Sequence, residues 1–329
     1  MEMVLNRPVI VLAVLASLVA VLLRGLGGGG EPVRAPGAIG ADGEAASGGP
    51  ARMAPAIAAP RRGQASTPAG RAATAPQAPA TRAAQRRASL GEAFENADDL
   101  YVFLQSVLPA AAAGDADAAW MASRVYDYCA AHAMDPAAYA RDSAALARMG
   151  AGASESMLRA RERVGHRCRQ FVPGDRLGRD LVILQRLEAA EAGSLAAEAS
   201  LLAMGEPLED DDDYRRGLVQ RVHHSADPEA FSALAPAMGL AASGDPAMAG
   251  QVAGTPAAEL AWQLGACELG LDCTPQGSLM TSMCANGGVC SRDQRRDFPA
   301  FVKHAALPPG EEEAIDELVD SLLSEGVRR

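Results

Sequence analysis

Aromatics and lysine are scarce in this chain: 6 Phe, 5 Tyr and 2 Trp in 329 residues, with Lys303 the sole lysine among 30 basic residues. No run rich in Val, Ile, Thr and aromatics alternates with period two, which excludes a sheet-based fold. There is no G-x-S-x-G, P-loop, H-E-x-x-H or G-x-G-x-x-G. The sequence therefore announces no nucleophile elbow, phosphate cradle, zinc-protease helix or dinucleotide turn. Cysteine is absent before residue 129, and only one long hydrophobic run exists.

That run, Pro8–Leu23, reads PVIVLAVLASLVAVLL and is flanked by Arg7 and Arg24. A bilayer core of about 30 Å needs about 20 helical residues, so the run is long for a signal-peptide core and short for a span. A cleaved signal needs a small-residue cleavage site. Here Arg24, Gly25, Leu26 and a glycine run follow instead. The sequence predicts an uncleaved signal-anchor over 1–24 that contacts the membrane through residues 8–23; secretion to the periplasm after signal cleavage is the alternative.

Residues 25–88 are Ala, Pro, Gly and Arg with few large apolar side chains, Met53 and Ile57 among them. Such a segment cannot bury enough surface to offset chain entropy of about 1–2 kcal/mol per residue, and is read as a disordered linker. Residues 89–329 hold 20 basic and 37 acidic residues, a net charge of −17. Phosphate neutralisation supplies most nucleic-acid affinity, so so acidic a domain is not a nucleic-acid binder.

Helix signals fill residues 89–329. Asp-Pro or Thr-Pro stands at 135–136, 227–228, 245–246, 255–256 and 274–275, each suited to an N-cap followed by the first helical position. Trp120, Met121, Val125, Tyr128, Cys129 and His132 form one apolar stripe. Met157, Arg161, Val164 and Cys168 form a second, interrupted by the arginine. Ile315, Leu318, Val319, Leu322 and Leu323 form a third. Glu311, Glu312 and Glu313 suit the positive end of that last helix. The predicted fold is all-α: an irregular, solenoid-like array of short antiparallel helix pairs behind an N-terminal hydrophobic helix and a disordered linker.

A junction recurs: Ala-Ala-Ala-Gly-Asp at 111–115, Ala-Glu-Ala-Gly-Ser at 190–194 and Ala-Ala-Ser-Gly-Asp at 241–245. In each, a small-residue helix ends, Gly takes a left-handed conformation, and Asp or Ser begins the next helix. Segments 104–132, 181–203 and 234–269 that carry these junctions resemble the Sel-one-like repeats of the tetratricopeptide superfamily. The resemblance implies a scaffold for protein contact, with no catalytic residues or cofactor.

The cysteines are Cys129, Cys168, Cys267, Cys273, Cys284 and Cys290. The last four fall in a Cys-rich segment, 267–290, at C-x5-C-x10-C-x5-C, too wide for zinc-ligand pairs two to four residues apart and not a C-x-x-C redox pair. All six are disulfide candidates in an oxidising compartment. The last four allow three connectivities, and Cys129 and Cys168 are either a bridge between helices or two buried thiols.

His132 ends a helix and reads as structural. His166 lies two residues from Cys168, on a different helical face. His223 and His224 follow the acidic run Glu209–Asp213, which lacks the alternation of a calcium loop and reads as a solvated turn. No catalytic, cofactor-binding or metal residue is assigned. The resulting expectation is a single-pass inner-membrane protein with its C-terminal domain in the periplasm, where it binds another protein. An exported hydrolase with scattered catalytic groups and a structural spacer are the alternatives. A deep pocket lined by converging polar groups would favour the enzyme, and a concave face with exposed aromatics the binder.

Overall fold

The computed structural model describes residues 79–150 and 152–327. The hydrophobic stretch Pro8–Leu23 and the linker as far as residue 78 lie outside the described residues. Among the described residues there are thirteen α-helices and no strand, and no helix is long and apolar enough to cross a membrane.

Helix α1 (Pro79–Glu95) begins ahead of the expected domain boundary at 89. Its Phe94 is fully buried, edge-on to Phe103 and Tyr128, and burying such a ring contributes about 1.5–3 kcal/mol. Helices α2 (Leu100–Ala112) and α3 (Ala116–Met134) pack side by side. Gly114 between them holds φ at 86°, where a side chain would be strained, and the Asp115 carboxylate accepts from the Ala118 N–H at 3.0 Å. The predicted junction chemistry recurs between α6 (Arg179–Glu191) and α7 (Leu195–Met204), where Gly193 has φ 101° and Ser194 accepts from Ala197. At 241–245 the outcome differs. Gly244 is left-handed, but Asp245 caps only the three-residue 3-10 turn Pro246–Met248.

Helix α4 (Pro136–Met149) doubles back into α5 (Ala153–Arg167). The arginine that interrupts the stripe on α5 is accommodated by α4: Arg161 lies over the Tyr139 ring and donates to the Ser143 hydroxyl and the Tyr139 carbonyl. Arg167, at the end of α5, donates to the Phe94 and Ala97 carbonyls. These contacts account for part of an arginine-rich helix inside an acidic domain.

Helices α8 (Asp212–Ser225), α9 (Pro228–Met238), α10 (Pro256–Glu268), α11 (Ser278–Ala285), α12 (Phe298–Phe301) and α13 (Glu312–Val327) complete the domain. Contacts run α3 to α6, α7 to α9, α9 to α10 and α10 to α13, with α5 against α11 on another side. One continuous apolar core joins them. Asp135, Asp227 and Thr255 cap their helices as predicted. Thr274-Pro275 does not, because Asp272 takes the Thr274 N–H in a turn and α11 starts only at Ser278.

The six cysteines form three bridges: Cys129–Cys168, Cys267–Cys273 and Cys284–Cys290. The first ties α3 to the end of α5. The other two each close a short loop within 267–290. Three disulfides suggest an oxidising, non-cytoplasmic location.

Candidate functional site

A cleft of about 360 Å³ opens between α3, α6, α7, α9 and α11. Helical spacing places its walls. On α3 Trp120, Arg124, Asp127 and Tyr128 share a face. On α9 Glu229, Ser232, Ala233 and Pro236 recur at i, i+3, i+4 and i+7. From α11 come Ser278, Leu279 and Ser282.

Arg124 organises the interior wall. Its guanidinium donates to Glu229 Oε1 at 2.6 Å and to the Ser278 hydroxyl at 2.9 Å, reaches Glu95 at 3.4 Å, and lies 4.2 Å from the Phe94 ring centroid. The second Glu229 oxygen accepts from Trp120 Nε1 at 3.2 Å. Burial raises the Glu229 carboxyl above its ordinary range, although Arg124 and Trp120 pull the other way. Glu95 caps α11 from a distance, accepting from the Ser278 N–H at 2.9 Å and from its hydroxyl at 2.5 Å. One arginine thus joins α1, α3, α9 and α11.

Arg186 forms the opposite wall. It is 7 % exposed and sits over the Trp120 ring. It donates to the Asp127 carboxylate at 2.6 Å, and its Nε has no partner among the described residues. Ser200, Ser232, Ser282 and Asn286 line the same space and make no side-chain hydrogen bond among the described residues. Apolar contact comes from Ala203, Met204, Ala233, Pro236 and Leu279.

None of the histidines weighed in the sequence lies in this cleft. His132 is buried, edge-on to Tyr139, and burial lowers its pKa. His166 is exposed at the end of α5, while Cys168 is bonded to Cys129. The acidic run is an exposed bend at Glu209–Asp211 whose last two acids enter α8. Asp211 caps α8, and Asp212 and Asp213 pair with Arg215 and Arg216 inside its first turns. His223 and His224 stand in the last turn of that helix, roughly 15–20 Å away at 1.5 Å per residue. They cannot share a metal with the acids. The His223 ring hydrogen-bonds the Leu322 carbonyl and touches Trp262 edge-on. Among the described residues no group of three or more His, Cys, Asp or Glu side chains is placed to hold a metal ion.

Sequence reasoning missed both cleft arginines. A signal existed: Arg124 falls four residues after Trp120 on a helix whose neighbouring positions are buried, where a charge needs a buried partner. That partner, Glu229, is 105 residues away, so its identity could not be read from spacing.

These features define an all-helical, disulfide-braced domain with an internal polar cleft. No family model matches the chain, and comparisons with curated proteins and with solved structures find no match.

Proposed function

We propose that the domain is a binding module that holds a segment of a partner protein in the cleft between α3, α6, α7, α9 and α11. The observation that carries this reading is how the cleft's polar groups divide. The charged ones, Arg124, Glu95, Glu229, Arg186 and Asp127, are paired with one another. Ser200, Ser232, Ser282, Asn286 and Arg186 Nε are left without protein partners beside apolar Ala203, Met204, Ala233 and Leu279. Free hydrogen-bonding groups alternating with small apolar surface suit an extended peptide backbone, which offers a donor and an acceptor at nearly every residue.

The converging polar groups are also what an exported hydrolase would show. Against it, the one cleft hydroxyl bonded to a carboxylate, Ser278, sits at the start of α11, with Glu95 spent on capping that helix and on Arg124. Glu229 has both oxygens engaged. No nucleophile–base pair with a free base stands in the cleft. Among the described residues no aromatic side chain is an exposed large hydrophobic, so recognition rests on the cleft and not on an aromatic surface.

In this reading the succession of helix pairs is a solenoid-like array of Sel-one-like character. It is held in the periplasm by a signal-anchor over 1–24 and spaced from the inner membrane by the linker 25–88. The three disulfides support export.

The test places a photo-crosslinking amino acid at Ser282 in the full-length chain, expressed where its disulfides form. Discrete adducts should appear, and Ala233→Trp, which fills the cleft, should abolish them. An adduct pattern unchanged by Ala233→Trp would overturn the cleft as the binding site. Retention of full-length protein in membranes through alkaline carbonate washing checks the anchor, and a mature N-terminus near residue 30 would refute it.

A further inference from the structure

Helix α11 separates the cleft from a second cavity. Leu279, Ser282 and Asn286 face the cleft, whereas Met280 and Cys284 face a space of about 60 Å³ on the other side. That space is closed by one face of α5, carrying Ser156, Arg159 and Arg163 at i, i+3 and i+7, and by the loop after the Cys284–Cys290 bridge, which brings in Asp293, Gln294 and Arg296.

Two features of this cavity are unexplained by the fold. Arg163 donates only through Nε, to the Thr281 hydroxyl at 3.1 Å, and forms no ion pair among the described residues. Its neighbour in charge is Arg159, and burial together with that like charge pulls Arg163 below the usual guanidinium range. Independently, Ser156 is 7 % exposed, and its hydroxyl has no partner. A buried hydroxyl without a partner is unfavourable, and a half-buried cation without a counter-ion adds to that cost. The acids nearby do not neutralise the site. Glu155 is taken by Arg159, and Asp293, which lines the cavity, is held by Arg295 and Arg296 and by the Arg295 N–H.

We infer that this cavity takes a phosphate group, with the Arg163 guanidinium as its principal contact, Arg296 and Arg159 beside it, and the Ser156 hydroxyl donating from the floor. The space, about 60 Å³, admits one small oxyanion. Donor directions select tetrahedral over planar: they come from α5 and from the 291–297 loop, whereas one arginine fork already satisfies a carboxylate. The phosphate is either free, as inorganic phosphate or a monoester, or the diester of a lipid head group entering phosphate first.

The experiment follows thermal unfolding of the full-length chain in detergent at constant ionic strength. The probes are inorganic phosphate, glycerol 3-phosphate, the soluble diester glycerophosphoglycerol, and acetate. A saturable rise in Tm with phosphate is expected, with apparent affinity lowered about tenfold or more in Arg163→Gln, since a charge-assisted contact contributes about 1.5–3 kcal/mol. Arg296→Gln should weaken binding as well, and it carries the test if Arg163→Gln does not fold. Arg141→Gln, whose side chain is 70 % exposed and lies outside the cavity, should bind normally. Stabilisation by the monoester and not the diester supports a free phosphate, and stabilisation by the diester supports a lipid head group. Equal stabilisation by acetate, unchanged binding in both arginine variants, or no stabilisation by any probe would each overturn the inference.

Discussion

Arg124 on α3 and Glu229 on α9 form an ion pair at 2.6 Å between side chains that are both largely buried. The pair joins helices distant in sequence, and the same guanidinium reaches Glu95 and Ser278. Breaking such a pair from one side leaves a carboxylate in the interior without its counter-charge, which costs more than the pair itself contributes.

Arg124→Ala should therefore lower unfolding stability by about 3–5 kcal/mol. Arg141→Ala, which removes a long, exposed contact to Asp135, should change it by less than about 1 kcal/mol. Urea unfolding monitored by helical circular dichroism checks both. Equal effects from the two variants would mean the Arg124 network holds nothing together.

Glu229 also sets a pH dependence. Burial holds its folded pKa above the ordinary glutamate value. As pH rises past that value the unfolded chain releases this proton while the folded domain retains it, so this group's contribution to stability falls with rising pH. Glu229→Gln lacks the titration. The stability difference between variant and parent should move in the variant's favour as pH rises from 4 to 7. A constant difference, or movement the other way, would contradict the raised pKa.

The three bridges should open in a fixed order under increasing reductant. Cys129 and Cys168 are fully buried, whereas Cys267 and Cys290 are only partly so. Alkylation and mass spectrometry should find Cys267, Cys273, Cys284 and Cys290 labelled first. The Cys129–Cys168 bridge spans 39 residues and the other two span 6 each. In the chain-entropy model its loss costs about 4 kcal/mol against about 2 for either of the others, so cooperative unfolding should follow its reduction.

Limited trypsin digestion tests the start of the domain. Arg86 pairs with Asp115, and Arg87 with Asp227 at 3.2 Å, both within helix α1. Cleavage after either should be slow, and the resistant fragment should begin at or before Ala83. A fragment beginning at Ala88 would return the boundary to the composition-based value.

Local chemistry made much of this domain legible in its sequence. Helical periodicity, N-cap Asp and Thr before Pro, and Gly-Asp and Gly-Ser junctions depend on neighbours within about four residues, so Asp135, Asp227, Thr255, Gly114 and Gly193 do in the structure what their positions predict. The helix start at Pro79 was hidden because Ala, Arg and Gln have good helix propensity but supply no apolar stripe, and the anchoring contacts of Arg86 and Arg87 lie far along the chain. An even cysteine count pointed to disulfides, yet their pairing needed three-dimensional proximity. The cleft and the arginine cavity were decided entirely by tertiary structure. Arg124 meets Glu229 across 105 residues, and Arg163 meets Thr281 across 118. A polar side chain's role depends on what the fold places opposite it, and its own spacing carries no record of a partner on another helix.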